Sequence, residues 1–263
     1  MKKISAIIVA ILVSVSVSSQ EKRPFPITDL HVHLKGGLTL QDAVKKSKTE
    51  NIQYGIAVNC GMGFPVHSEA QIDSVINSFK GYPQFYLAMQ AEGREWVSLF
   101  SKESRDKFDY VFTDAMTFTD EKGRRNRIWI KNETFIDDEE RFMDYLVYTL
   151  VKILMTEPIN VYVNSTFLPE QMADRYSKFW TADRMDKVIK AAKQGNIAIE
   201  INNRYKIPSA DFIKRAKAAG VKFTIGTNNA DSNFTGAEYA LKMIKECGLT
   251  QNDFYLPVKK VRK

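Results

Sequence analysis

Seven short runs of apolar, largely β-branched residues, each followed by an amphipathic stretch, constrain this 263-residue chain more than any other feature. Residues 27–34, 54–60, 84–92, 109–116, 160–167, 197–202 and 221–228 read as strands. The helical stretches between and after them are 39–50, 69–79, about 95–107, 137–155, 181–193, one opened by Pro208-Ser209 and ended by Gly220, and 235–247. In 181–193, for example, Met185, Val188, Ile189 and Ala192 share one face. Strands this apolar are buried on both faces, as in a parallel sheet. No Gly-rich phosphate loop follows the first strand, so a closed α/β barrel, (β/α)7, is expected rather than an open doubly wound sheet. In such a barrel chemistry sits at the carboxyl ends of the strands.

The first strand ends Asp29-Leu30-His31-Val32-His33. Strict alternation puts Asp29, His31 and His33 on one face and Leu30, Val32 and Leu34 on the other, toward the helices. Two of the three His in the chain stand here. Two imidazoles on the inner face of a first strand can grip one metal ion, the alternative being a hydrogen-bonded core pair. Glu92 and Asp114 close adjacent strands, with Asp29 one layer beneath the imidazoles. One divalent ion, with zinc, manganese and iron not distinguished, could be held by His31, His33 and Glu92 or Asp114, leaving positions for water and substrate. The carboxylate not used as a ligand would act as general base, so Glu92 and Asp114 are the catalytic candidates. The alternative is that they pair with Arg94, Arg204 or Lys35.

Amides crowd the remaining strand ends: Asn59, Asn164, Asn202, Asn203, Asn228 and Asn229. A buried amide without a partner costs about 1–3 kcal/mol, so these must bond a ligand, water or one another. Asn59, Asn164, Asn202 and Asn228 are the substrate-binding candidates among them. Arg94, close to Trp96, and Arg204 begin loops on the active face, where a guanidinium can meet carboxylate or phosphate through two parallel hydrogen bonds. The insertion 117–136, Arg-rich and carrying Trp129, is long enough for a lid. His67 lies in the loop after the second strand.

The Asp-Leu-His-Val-His run with its Gly-containing loop resembles the opening motif of polymerase and histidinol phosphatase (PHP) domains, distorted seven-stranded TIM-like barrels. Ile199-Glu200-Ile201-Asn202 and Phe223-Thr224-Ile225-Gly226-Thr227-Asn228 are similar to the family's sixth and seventh strands. The resemblance covers roughly residues 27–250, and the opening motif is shared with amidohydrolase barrels. Family members hold up to three metal ions and hydrolyse phosphate esters. By that resemblance His31 and His33 take the first motif and Glu92 the bridging carboxylate. Asn59-Cys60 stands where the family has Asp-His, Asp114 and Met116 where a fourth-strand His is usual, and Asn164 where the fifth strand presents His. Asn228 and Ala230 take the place of Asp-X-His. Those replacements argue against a trinuclear site.

At the N-terminus Lys2 and Lys3, an apolar stretch over 4–17 and the small residues Val17-Ser18-Ser19 have the form of a signal peptide over 1–19. The stretch is shorter than the about 20 residues that span a bilayer. The expected mature chain, 20–263, is one exported barrel domain, periplasmic or extracellular. Formal charge is +7, with runs at 122–127 and in the tail 259–263, which read as solvated surface rather than a nucleic-acid face. Cys60 and Cys247 are expected as free thiols. The composite expectation is a secreted metal-dependent hydrolase acting on a small anionic molecule such as a phosphate ester, without nucleic-acid or membrane partners. The alternative is a catalytically degenerate barrel that binds a sugar or organic anion.

Overall fold

The computed structural model describes residues 23–234 and 236–262; the expected signal peptide lies outside them. The elements run β1 (Ile27–Val32), α1 (Leu40–Glu50), β2 (Ile52–Cys60), α2 (Glu69–Ser78), β3 (Tyr86–Ala91), α3 (Trp96–Leu99), α4 (Lys102–Arg105), β4 (Tyr110–Thr113), β5 (Thr117–Thr119), β6 (Arg125–Arg127), α5 (Glu139–Thr156), β7 (Val161–Tyr162), α6 (Tyr176–Phe179), α7 (Ala182–Gly195), β8 (Ala198–Asn202), α8 (Ala210–Ala218), β9 (Phe223–Gly226) and α9 (Glu238–Glu246). Seven parallel strands close in the order β1-β2-β3-β4-β7-β8-β9, the seam being Asp29 opposite Ile225. None of the described helices is long and apolar enough to cross a membrane.

Helix starts follow the sequence closely, because short hydroxyl and carboxylate side chains satisfy the first free N–H groups. Thr39 and Asp42 form a capping box at α1, and Ser68, Asp138, Thr181 and Ser209 cap α2, α5, α7 and α8. Asn51 and Asn196 end α1 and α7 in the left-handed conformation that Asn tolerates.

Three expectations are corrected, and the insertion gains a definite shape. The helix over 95–107 is two short turns, because Phe100 is extended and Ser101 starts α4 afresh. The strand over 160–167 shrinks to Val161–Tyr162, since Asn164 takes φ 53 and leaves the extended region. The insertion forms an antiparallel hairpin, Thr117 opposite Arg127, laid against α5 by the bond from Tyr145 Oη to the Thr119 carbonyl. Alternation along β1 fails at an irregularity between Asp29 and Val32. Leu30 therefore joins Ala57, Tyr86, Ala88, Tyr110, Phe112, Val161, Val163 and Ala198, a cluster drawn from the barrel strands and the residue just after β7, instead of facing the helices. Val32 packs in the larger core between strands and helices.

Lys259, Lys260 and Val261 in the basic tail are exposed, as expected, but the tail is anchored. Tyr255 packs on the strand-lined cluster, and its N–H donates to the Phe223 carbonyl at 2.8 Å. Lys259 Nζ reaches the carbonyls of Pro83 and Gln84, and Arg262 pairs with fully buried Asp109, which also accepts the Leu87 N–H. The tail thus seals the end of the barrel opposite the strand carboxyl ends. Cys60 and Cys247 are both buried and free, as expected.

Removing one partner of a buried ion pair leaves the other uncompensated, at about 3–5 kcal/mol. Asp109→Ala is therefore expected to lower unfolding free energy by about 3 kcal/mol in urea denaturation. Stability within about 0.5 kcal/mol of the parent would contradict the sealing role.

Candidate active site

The first strand delivers its two imidazoles through a set of backbone ties. Asp29 Oδ1 accepts the N–H groups of His31 and Thr227, each at 3.0 Å, and Asp29 Oδ2 takes the Thr227 hydroxyl. Asp29 is thus the stitch between β1 and β9, and burial lifts its carboxyl to about 6 against those three bonds. Asn229 holds the next residue from both sides: its Oδ1 accepts the His33 N–H at 2.7 Å, and its Nδ2 donates to the His33 carbonyl at 2.9 Å.

His31 and His33 do converge. Their Nε2 atoms lie 3.1 Å apart, and His31 Nδ1 lies 2.6 Å from Glu200 Oε1, with His31 and Glu200 each 1% exposed. Phe112 packs on the His31 ring, centroids 4.6 Å apart. Burial, followed by the charges of His31 and Lys35, drives the His33 pKa down to about 2, so that ring is neutral. Its Nδ1 is buried without a hydrogen-bond partner.

From Glu200 a chain of amides leads across the barrel mouth. Glu200 Oε2 accepts from the Asn164 N–H at 2.9 Å and from Asn202 Nδ2 at 2.8 Å. Asn164 Oδ1 gathers Asn202 Nδ2 at 3.0 Å and Asn228 Nδ2 at 3.1 Å, while Asn164 Nδ2 donates to Asp114 Oδ2 at 2.9 Å. Asn164 and Asn228 both adopt left-handed φ, 53 and 49, which turns the chain at the ends of β7 and β9. Three of the expected substrate-binding amides are therefore brought together and satisfy one another. The fourth, Asn59, donates to Glu92 Oε1 at 2.6 Å, which Gln90 Nε2 also reaches at 2.9 Å.

Glu92 and Asp114 face each other's charge. Burial first, and Asp114 second, push the Glu92 carboxyl up to about 8, and burial raises Asp114 as well. Asp114 Oδ1 is taken by the Met116 N–H at 2.9 Å.

One other expectation changes. Arg94 is spent within the protein: it pairs with Glu157 at 2.9 Å and donates to Thr113 Oγ1 and the Asp114 carbonyl, and Trp96 Nε1 meets the same Glu157. It buttresses the β3 and β4 ends and is not free for a substrate anion. Arg204 is exposed, resting over the Tyr205 ring at 5.2 Å, with no carboxylate partner among the described residues. His67 is exposed and bonded to the Phe64 carbonyl.

The donor set fits a metal ion in part. Two imidazoles that share an ion at about 2.1 Å each can stand at most about 4.2 Å apart, which 3.1 Å satisfies. His31 carries the carboxylate on its far nitrogen that metal-binding imidazoles ordinarily have. Yet among the described residues no three His, Cys, Asp or Glu side chains form a group able to hold a metal. The expected set His31, His33 and Glu92 is therefore not assembled; Glu92 is drawn aside by Asn59 and Gln90.

Glu200 joins the site although its place in the sequence suggested no role there. The available signal was a lone carboxylate between Ile199 and Ile201 on an otherwise apolar strand. Such a group must find buried partners.

No family model matches the chain, and no curated protein is similar to it in sequence. Among solved structures it is similar to the histidinol phosphate phosphatase of Lactococcus lactis subsp. lactis, determined with zinc, L-histidinol and phosphate. Identity is 14% over 86% of this chain and 95% of that one, with a TM-score of 0.58. The likeness shows the fold: a distorted (β/α)7 TIM-like barrel of the PHP type, as the opening motif implied.

The raised Glu92 pKa sets the sign of a pH effect. The folded state binds this proton more tightly than the unfolded chain, so the group's stabilising contribution falls as pH rises from about 4.5 to about 8. Glu92→Gln, which keeps an acceptor for Asn59 and Gln90, is expected to raise the melting temperature of chelator-treated protein at pH 8.5 more than at pH 5. Equal shifts at both pH values would contradict the buried charge.

Proposed function

We propose that the chain is an exported metal-dependent hydrolase of the PHP kind, with several of the family's ligand positions rewritten as amides, acting on a small anionic substrate such as a phosphate ester. The supporting observation is the convergence of His31 and His33 Nε2 atoms, with Glu200 behind His31, beside two buried carboxylates. His31 and His33 would hold one divalent ion, with Glu92 or Asp114 swinging in as the third ligand. A bound ion of this kind acts as a Lewis acid and lowers the pKa of water toward about 7.

The protein's own groups divide the remaining work. Two neighbouring buried carboxylates titrate as a pair, each making the other harder to ionise. With Asp114 on the ion, Glu92, pushed up to about 8, keeps a proton that it can give to a leaving group. With Glu92 on the ion instead, Asp114, oriented by Asn164 and the Met116 N–H, would accept one from attacking water. Arg204 at the rim meets the anionic end of the substrate.

A second reading is favoured by the amide chain centred on Asn164 Oδ1: a barrel that has lost its chemistry and binds a hydroxylated ligand or organic anion. Chelator-treated protein reloaded with zinc, manganese or iron and assayed on aryl phosphates and aryl esters separates the two. The hydrolase reading expects one ion per chain and turnover lost by at least about 100-fold on chelation or in the His31→Ala, His33→Ala double variant. Folded protein that takes up no ion and is stabilised by sugars or organic anions without turnover supports the binding barrel instead.

A further inference from the structure

We propose that Glu200 is a positioning residue that locks His31 in the Nδ1–H tautomer, so that its bare Nε2 faces His33 and any cation gripped there. The inference deepens the hydrolase reading, but its first consequence concerns the metal-free protein and stands apart from it.

The lock follows from which atoms can donate. Tyr205 N–H can only donate, and it meets Asn202 Oδ1 at 2.9 Å, so Asn202 must turn its Nδ2 toward Glu200. The Asn164 backbone N–H, also a pure donor, meets the same Glu200 Oε2 at 2.9 Å. Both donors saturate Oε2, leaving Oε1 facing His31 Nδ1 at 2.6 Å. An ionised carboxylate only accepts, so the proton on that line belongs to Nδ1, and in the neutral ring that leaves Nε2 with its lone pair. Gly226 makes the room: a Cβ built there would fall on the Glu200 carboxyl group and within 2.8 Å of His31 Cβ.

The same geometry predicts the result of replacing the acid with its amide. In Glu200→Gln the Asn164 and Asn202 donors still demand an oxygen, so the amide oxygen must face them. Its NH2 group is then turned on His31 Nδ1, which must become an acceptor. The His31 proton moves to Nε2, and the face toward His33 changes from acceptor to donor. A residue that merely fills space would leave the tautomer unchanged.

Long-range proton–nitrogen NMR of chelator-treated protein at pH 8 reads this directly. Wild type is expected to carry its His31 proton on Nδ1 with Nε2 bare, and Glu200→Gln to carry it on Nε2. A second readout is cobalt titration followed by its visible absorption, where Glu200→Gln is expected to bind about 10–100-fold more weakly. A proton on His31 Nε2 in the wild type, or an unmoved proton in folded Glu200→Gln, overturns the proposal; the wild-type spectrum alone decides if the variant does not fold. Wild type with the expected tautomer but no cobalt binding overturns the hydrolase reading and leaves the lock standing.

Discussion

A single hydrogen-bonded chain organises the carboxyl end of this barrel: His33 to His31, His31 to Glu200, Glu200 to Asn202 and Asn164, and Asn164 to Asp114. It links β1 to β8, to the ends of β7 and β4 and, through Asn228, to the end of β9. Every member is under 9% exposed, so each polar atom left without a partner would cost about 1–3 kcal/mol. The chain consequently dictates local backbone shape as well as chemistry. Left-handed Asn164 and Asn228, the missing side chain at Gly226 and the short β7 all serve to bring these groups into register.

The chain also explains why the site is poor in ready-made metal ligands yet rich in directional contacts. An amide donates and accepts at once, so it can close a network that carboxylates alone would leave repelling. At the other side of the mouth that relief is absent. Glu92 receives two amide protons but still feels Asp114, and its carboxyl stays raised. The barrel thus pairs a fully hydrogen-bonded half with one that holds two buried, mutually repelling carboxylates, which a cation would stabilise.

Much of this was legible in the sequence, and for identifiable reasons. Near-continuous apolar runs and the amphipathic stretches between them are local signals, so the seven strand–helix units could be read directly. The His pair was legible because two imidazoles at i and i+2 share a strand face. What escaped depends on contacts between distant segments. The β1 irregularity that turns Leu30 inward, the capture of Arg94 by Glu157, the pairing of Arg262 with Asp109 and the bond from Glu200 to His31 span 63 to 169 residues in the side-chain cases. No local pattern encodes such partners. Glu92 shows the same limit: its place at a strand end was clear, but not its diversion by Asn59 and Gln90.

The central claim is that the two imidazoles of β1 converge on one shared cation. Crystals grown with zinc and measured across its absorption edge test it most directly. The account predicts one anomalous peak about 2.1 Å from both His31 Nε2 and His33 Nε2, with Glu92 or Asp114 drawn toward it. A map with no peak there, and the imidazoles still bonded to each other at 3.1 Å, would contradict it.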